Sequence, residues 1–240
     1  MIGRALRTEW YRVRIDRSLP IGVALALVLG LSVVLGVPDG LRAAREEVRR
    51  AVFAELGPAL LIDSAVVAGI LGSFGWTADL ERGVIARQLG FLARLPLLGV
   101  RAVTATAAGA TLALVTAGSG SLAFGVDAGL AVSPAEIAGP AAIVGAAAGF
   151  LGLAVGAVIG RHLLALFAVP VLLAGALPVA AILPWALWAS PLGAWLLALG
   201  CAPPGSGSAG DTSAGLLAGA IWLIVAAGLA SFAVVRRDVG

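Results

Sequence analysis

The chain has 240 residues, of which 60% are hydrophobic and only 12% are charged, and its mean hydropathy is +1.05. A soluble domain carries about 25% charged residues, so this composition excludes a water-soluble globular protein and favours one that is solvated by lipid. The net charge of +3 is too small to indicate a nucleic-acid partner. The single cysteine, Cys201, excludes an intramolecular disulfide and a metal site built from several cysteines.

Residues 1–17 predict an amphipathic helix before the first apolar run. Ile2, Leu6 and Trp10 recur at helical spacing on one face, and arginines lie to one side of that face. A helix of this kind lies in the membrane interface. A plain topogenic anchor accounts for the same pattern equally well.

Six apolar runs follow, each near or above the about 20 residues that a helix needs to cross a bilayer. They cover residues 20–37, 57–76, 96–117, 139–160, 163–189 and 214–235. No soluble domain interrupts them. The sequence therefore predicts an all-α, polytopic membrane protein with six transmembrane helices, organised as a single membrane domain over residues 1–240.

The arginines predict the orientation of these spans. Twelve of the 16 basic residues, all arginines, lie before span one, in or beside the connection of spans two and three, between spans four and five, or after span six. The positive-inside rule makes these parts cytoplasmic. Both termini are then cytoplasmic, and residues 39–56, 119–138 and 190–213 are external.

The external segment 39–56 is itself amphipathic. Asp39 is a candidate N-cap for a helix there. Its apolar stripe consists of Leu41, Val48, Val52 and Leu56. This pattern favours a helical connector over a gate that receives substrate.

Asp63 is the one acidic residue inside a span, near the predicted outer end of span two. Acidic residues within the membrane are functional candidates, although at this depth the carboxylate is alternatively within reach of interfacial water. We expect it to face a protein-lined or water-lined interior and not lipid.

A short charged segment, residues 76–96, separates spans two and three, and we call it the island. Ile85, Leu89 and Leu92 recur at helical spacing, with Arg87 and Arg94 on the opposite face. This pattern predicts a short helix along the membrane surface. Two interpretations remain: a solvated loop that only holds topology, or a segment that another protein moves.

Span four has a face of small residues. Five of its glycines fall within an arc of about 80° when each residue turns by 100°. They are Gly145, Gly149, Gly152, Gly156 and Gly160. We predict close packing of another helix on this face, because glycine lets two helix backbones approach each other. Gly215 and Gly219 in span six predict a similar contact.

Span five is interrupted by prolines, which predict kinks at Pro170, Pro178 and Pro184. Ser190 and Pro191 then predict the start of a short apolar helix in the outer leaflet. Catalytic patterns are scarce: His162 is the only histidine, and no glycine-rich phosphate loop occurs. We therefore expect no catalytic, cofactor or metal site in this chain.

Several short motifs resemble permease subunits of ABC exporters of the ABC-2 type. In chain order these are Leu6-Arg7-Thr8-Glu9-Trp10 with Arg17-Ser18, the small-residue run Gly69–Gly75, Asp79-Leu80-Glu81-Arg82-Gly83-Val84, Arg94-Leu95-Pro96, and Phe232 with Arg236-Arg237-Asp238-Val239. Two features depart from the family pattern. Val84 stands where threonine is common, and no lysine follows Pro96.

The resemblance implies a permease of the bacterial cell membrane that pairs with an identical or different second permease subunit. It also implies two copies of a cytoplasmic ATP-binding subunit, which hold ATP and Mg, so this chain is not itself an enzyme. Residues 1–17 would be the connecting helix, the island would contain the coupling helix, and residues 191–200 would form an external re-entrant segment.

The coupling residues implied by the resemblance are Asp79, Glu81, Arg82, Val84, Ile85, Arg87 and Leu89. The apolar walls and few aromatic residues favour a hydrophobic or amphipathic cargo. The alternative is a membrane-embedded enzyme or a membrane scaffold without transport activity.

Overall fold

A computed structural model describes residues 18–133, 135–180, 182–183, 185–201 and 212–237. Every regular element within these ranges is helical, as the apolar runs predict. The predicted amphipathic helix of residues 1–17 lies outside the described residues.

The α-helices are α1 (Ser18–Leu31), α2 (Glu46–Glu81), α3 (Val84–Leu89), α4 (Arg94–Ala128), α5 (Ala135–Ile159), α6 (His162–Ala174), α7 (Leu177–Ala180), α8 (Ala186–Ala189), α9 (Pro191–Ala198) and α10 (Thr212–Arg236). A 3₁₀ helix, Ser32–Gly36, continues α1, and another, Leu41–Ala43, precedes α2. Within the described residues, six stretches are long and apolar enough to cross a membrane, in agreement with the six predicted spans.

The second and third spans are longer than predicted. α2 has 36 residues and α4 has 35, so each is about 50 Å long at a rise of about 1.5 Å per residue. The hydrocarbon core of a bilayer is only about 30 Å thick. Both helices therefore project beyond it, and much of the predicted external segment 119–138 is the end of α4.

The prediction that Asp39 caps a helix is wrong. Gly40 adopts the left-handed conformation with φ 80°, and only a single 3₁₀ turn follows it. The helix starts at Glu46 after the extended Arg45 and runs without a break into span two. Three residues of the apolar stripe, Leu41, Val52 and Leu56, pack with Phe124 at the end of α4, whereas Val48 is exposed. Segment 39–56 is thus mainly an extension of the second span.

The predicted fifth span, residues 163–189, consists of separate short helices. Pro170 is accommodated within α6, but α6 ends at Ala174. Pro178 has no amide hydrogen to donate to the carbonyl of Ala174, so the helix stops there. The span that crosses the membrane is accordingly His162–Ala180.

α5 is the central helix of the bundle, with 61% of its most apolar stretch buried. Gly145 and Gly149 lie directly against the backbone of α4 at Gly109 and Ala105. A Cβ atom added at Gly149 would come within 3.2 Å of the Cα atom of Gly109. Only glycine permits this approach.

The next two glycines of α5 face α2 instead. A Cβ atom at Gly152 would lie 2.8 Å from the Cα atom of Gly69, and one at Gly156 would lie 3.1 Å from that of Ser73. The glycine face therefore serves two neighbouring helices. Gly160 has a different role from the predicted one: it follows the end of α5 with φ 66°, beside the Arg237 side chain.

α9 is the short helix predicted after Ser190. The Ser190 hydroxyl caps it by accepting a hydrogen bond of 2.9 Å from the backbone N–H of Gly193. α10 packs on α9 through its own glycines, because Gly215 lies against Ala198 and Gly219 lies against the Trp195 ring. These contacts fix α9 beside the last span.

Candidate functional site

The island is folded into helix and tight turns over most of its length. α2 ends at Glu81, and Gly83 reverses the chain in the left-handed conformation with φ 66°. The short helix α3 follows, and α4 begins at Arg94. The helix predicted from the apolar spacing is thus present, although it ends at Leu89 and does not reach Leu92.

A buried ion pair joins the two spans that flank the island. The Asp79 carboxylate lies 2.7 Å from Nη1 of Arg101, and the two side chains are only 7% and 5% exposed. Nη2 of Arg101 donates a hydrogen bond of 2.9 Å to Oε1 of Gln88 on α3. Because charges that are shielded from water interact strongly, this group ties the end of α2, the start of α4 and α3 together.

An apolar cluster also holds α3 against the bundle. Ile85 is 2% exposed and packs with Trp76 of α2 and Leu97 of α4. Leu89 and Leu92 pack on the same cluster and are partly buried. Burying one such side chain contributes about 1.5–3 kcal/mol. α3 is therefore fixed to the bundle by apolar contacts as well as by the polar group.

The outer face of the island carries both charge and an aromatic ring. Glu81, Arg82 and Arg87 are exposed, and Val84 is half-buried. Phe91 is 91% exposed. A large aromatic side chain that no other part of the described chain covers, flanked by arginines, has the composition of a protein-interaction surface.

Of the seven residues predicted to couple to a partner, two are buried, three are exposed, and Val84 and Leu89 are half-buried. Asp79 and Ile85 are buried within this chain and are not available to another protein. Arg82 and Arg87 remain accessible. The prediction did not single out Phe91, which lies in the turn after α3 and outside its helical pattern.

Glu81 contacts this chain as well as solvent. Its Oε1 atom accepts a hydrogen bond of 2.9 Å from the backbone N–H of His162, the first residue of α6. A carboxylate at a helix N-terminus is favourable, because it meets unpaired N–H groups and the positive end of the helix dipole. The end of α2 thereby holds the start of the fifth span.

His162 strengthens the same junction. Its Nδ1 atom lies 3.0 Å from Oγ1 of Thr77 on α2. Its ring meets Phe74 edge to face, with 4.5 Å between the ring centroids. His162 therefore contacts α2 through both a ring nitrogen and its ring.

Arg94 connects the island to the C-terminal end of the chain. Its Nη1 atom donates to the carbonyl oxygens of Val234, Val235 and Arg237 at distances of 2.7–3.0 Å. Arg237 in turn donates to the carbonyl oxygen of Val158 near the end of α5. The last carbonyls of a helix have no partner within it, so these arginines satisfy them and join α4, α5 and α10 at one end of the bundle.

Asp63 lies apart from this cluster, on the exposed surface of α2. Among the described residues, none forms a hydrogen bond or an ion pair with its carboxylate. The described residues therefore do not enclose it. The protein or water that we expect to surround Asp63 therefore has to come from outside the described residues.

Neither comparison with known proteins identifies a relative: no family model matches the chain, and no curated protein does. Within the described ranges, no three histidine, cysteine, aspartate or glutamate side chains are grouped to hold a metal ion. The resemblance to ABC-2 permeases stays a prediction.

Proposed function

We propose that the chain is the permease subunit of an ATP-driven exporter, and that a cytoplasmic ATP-binding subunit contacts it at the island. One observation carries this proposal: α3 is fixed to the spans on one side while Arg82, Arg87 and Phe91 are exposed on the other. The arginine distribution supports a cytoplasmic position for this surface.

The attachments of α3 suit it to transmit force. A flexible loop would absorb a push through changes in its own backbone. α3 instead follows α2 after a two-residue turn, and Gln88 and Ile85 hold it against α2 and α4. A displacement of α3 would therefore tilt both spans.

The exposed surface also favours a particular kind of partner. Aromatic residues and arginines contribute most of the binding energy at many interfaces, so Phe91 would enter an apolar pocket. Arg82 and Arg87 would pair with acidic residues around it, which fixes the orientation of the two proteins. We expect an acidic rim around an apolar groove on the ATP-binding subunit, which binds as two copies to a pair of permease subunits.

Open apolar grooves on the bundle support a hydrophobic or amphipathic cargo. One, of about 450 Å³, lies between α5, α6 and α10 and is lined by Leu151, Val155 and Trp222 among others. A second, of about 560 Å³, lies between α4, α5 and α10. Such surfaces accept acyl chains and apolar solutes, and few of their atoms are polar.

The test is co-purification of ATP-hydrolysing activity with the tagged chain from native membranes. Truncating Phe91 to Ala or reversing Arg87 to Glu should lower the bound activity at least tenfold, the loss expected when a residue central to an interface is removed. Matched controls are Leu35→Ala, because Leu35 is 90% exposed at the other end of the bundle, and Arg45→Glu. Equal recovery of ATPase activity with all four variants would refute the proposal.

A further inference from the structure

Other helices cover most of α2, but the described residues leave one strip of its apolar part open. The strip consists of Glu55, Ala59, Asp63, Val66 and Ile70. Its members recur at intervals of three or four residues and so lie on one side of the helix. The first three are exposed and the last two are half-buried.

The strip lies between α1 and α6. On one side of it, Val67 of α2 packs with Ala26 of α1. On the other side, Val169 of α6 lies over Gly69. The strip is therefore the floor of a groove whose walls are the first and fifth spans.

The walls of this groove are apolar. α1 contains no charged residue, and α6 contains no ionisable residue after His162. Asp63 is the only charged residue of α2 between Glu55 and Asp79. The groove thus combines one fixed negative charge with long apolar sides.

A carboxylate in this position is not stable against hydrocarbon alone. Asp63 lies eight residues from Glu55, which is about 12 Å along the helix. The Asp63 side chain is too short to bring its carboxylate to the position of Glu55. Charged groups within a membrane instead face water or a counter-charge. Within the described part of the chain no arginine or histidine supplies one, and a positively charged ligand in the groove would.

We propose that this groove binds an amphipathic organic cation, whose charge pairs with Asp63 and whose apolar body lies along α1 and α6. The inference rests on the proposed export function for the role of the ligand as cargo. Binding itself requires no ATP-binding subunit, so the two proposals can fail separately.

The test measures binding of tetraphenylphosphonium to the purified chain in lipid nanodiscs, with empty nanodiscs subtracted. The anion tetraphenylborate has nearly the same shape and the opposite charge. Asp63→Asn should weaken binding of the cation about tenfold, as expected when one ion pair is lost, and should not weaken binding of the anion. Asp63→Glu, which keeps the charge, should retain most of the affinity.

Asp127→Asn is the matched control, because it removes the same charge from an exposed position at the far end of α4 and should leave cation binding unchanged. Three results would overturn the inference: no saturable binding of the cation, equal affinity in the wild type and Asp63→Asn, or equal weakening by Asp127→Asn. Equal recovery of ATPase activity with the Phe91, Arg87 and control variants, with Asp63-dependent cation binding intact, would refute the export function alone.

Discussion

Replacing Arg101 with glutamine removes the positive partner of a buried carboxylate and tests whether charge anchors the island. In the wild type the Asp79–Arg101 distance is 2.7 Å, and both side chains are shielded from water. In Arg101→Gln the Asp79 charge would stay buried without this partner, and the hydrogen bond from Arg101 to Gln88 would be lost. The second anchor of α3, the Ile85 cluster, would remain.

The expected loss follows from burial. Breaking a buried ion pair by removing one partner costs about 3–5 kcal/mol, because the other charge is left uncompensated. For a chain of this size such a loss lowers the melting temperature by about 10 °C. Removing both charges, as in Asp79→Asn with Arg101→Gln, should recover most of the stability, since no unpaired charge remains.

The chain offers an internal control for this experiment. Arg50 and Glu46 form an ion pair of similar length, 2.9 Å, but their side chains are 60% and 59% exposed. Exposed pairs contribute about 0–1 kcal/mol, so Arg50→Gln should hardly change the melting temperature measured in detergent. If Arg101→Gln and Arg50→Gln shift the melting temperature equally, burial does not strengthen the island anchor and the argument for a rigid α3 fails.

Three further predictions concern packing, capping and water access. Gly152→Ala should destabilise the chain by about 1–3 kcal/mol, because the added methyl group would overlap α2. Gly139→Ala on the same helix should not, since a Cβ atom there has no neighbour within 4 Å. Equal melting temperatures of the two variants would contradict the glycine contact. Glu81→Gln should cost about 1 kcal/mol, because it removes a negative charge from the start of α6, and this loss should shrink at high salt; an unchanged melting temperature would count against it. In a cysteine-free background, a cysteine at position 63 should react with a charged, water-soluble thiol reagent faster than a cysteine at position 221. Position 221 is the control because it is exposed on the surface of α10. Equal reaction rates would place Asp63 against lipid.

The number and order of the spans could be predicted because each is a long apolar run. Their ends could not, since the first turns of α2 and the last of α4 are helical without being apolar. A polar helical segment at the end of a span has the same composition as a loop, so the sequence alone does not distinguish the two. It forms here because Leu41 and the α2 stripe pack on Phe124, a contact between residues far apart in sequence.

In the island, the sequence predicted the helix but not the contacts that its side chains make. Helical spacing predicted α3 and its apolar stripe, but it could not show which protein that stripe contacts. Ile85 packs on Trp76 and Leu97 of its own chain. Asp79 lies in a charged segment typical of a solvated loop, and its partner Arg101 lies seven residues after Arg94, inside an apolar run. Only the folded chain brings the two charges together.

The central claim is that the exposed face of the island contacts an ATP-binding subunit in the cell. A photoreactive amino acid placed at position 91 and activated in intact cells tests it most directly, with position 35 as the matched exposed control. The account predicts a covalent adduct between this chain and an ATP-binding subunit from position 91 and none from position 35. Failure to form that adduct from position 91, with the chain folded and present at normal levels, would contradict it.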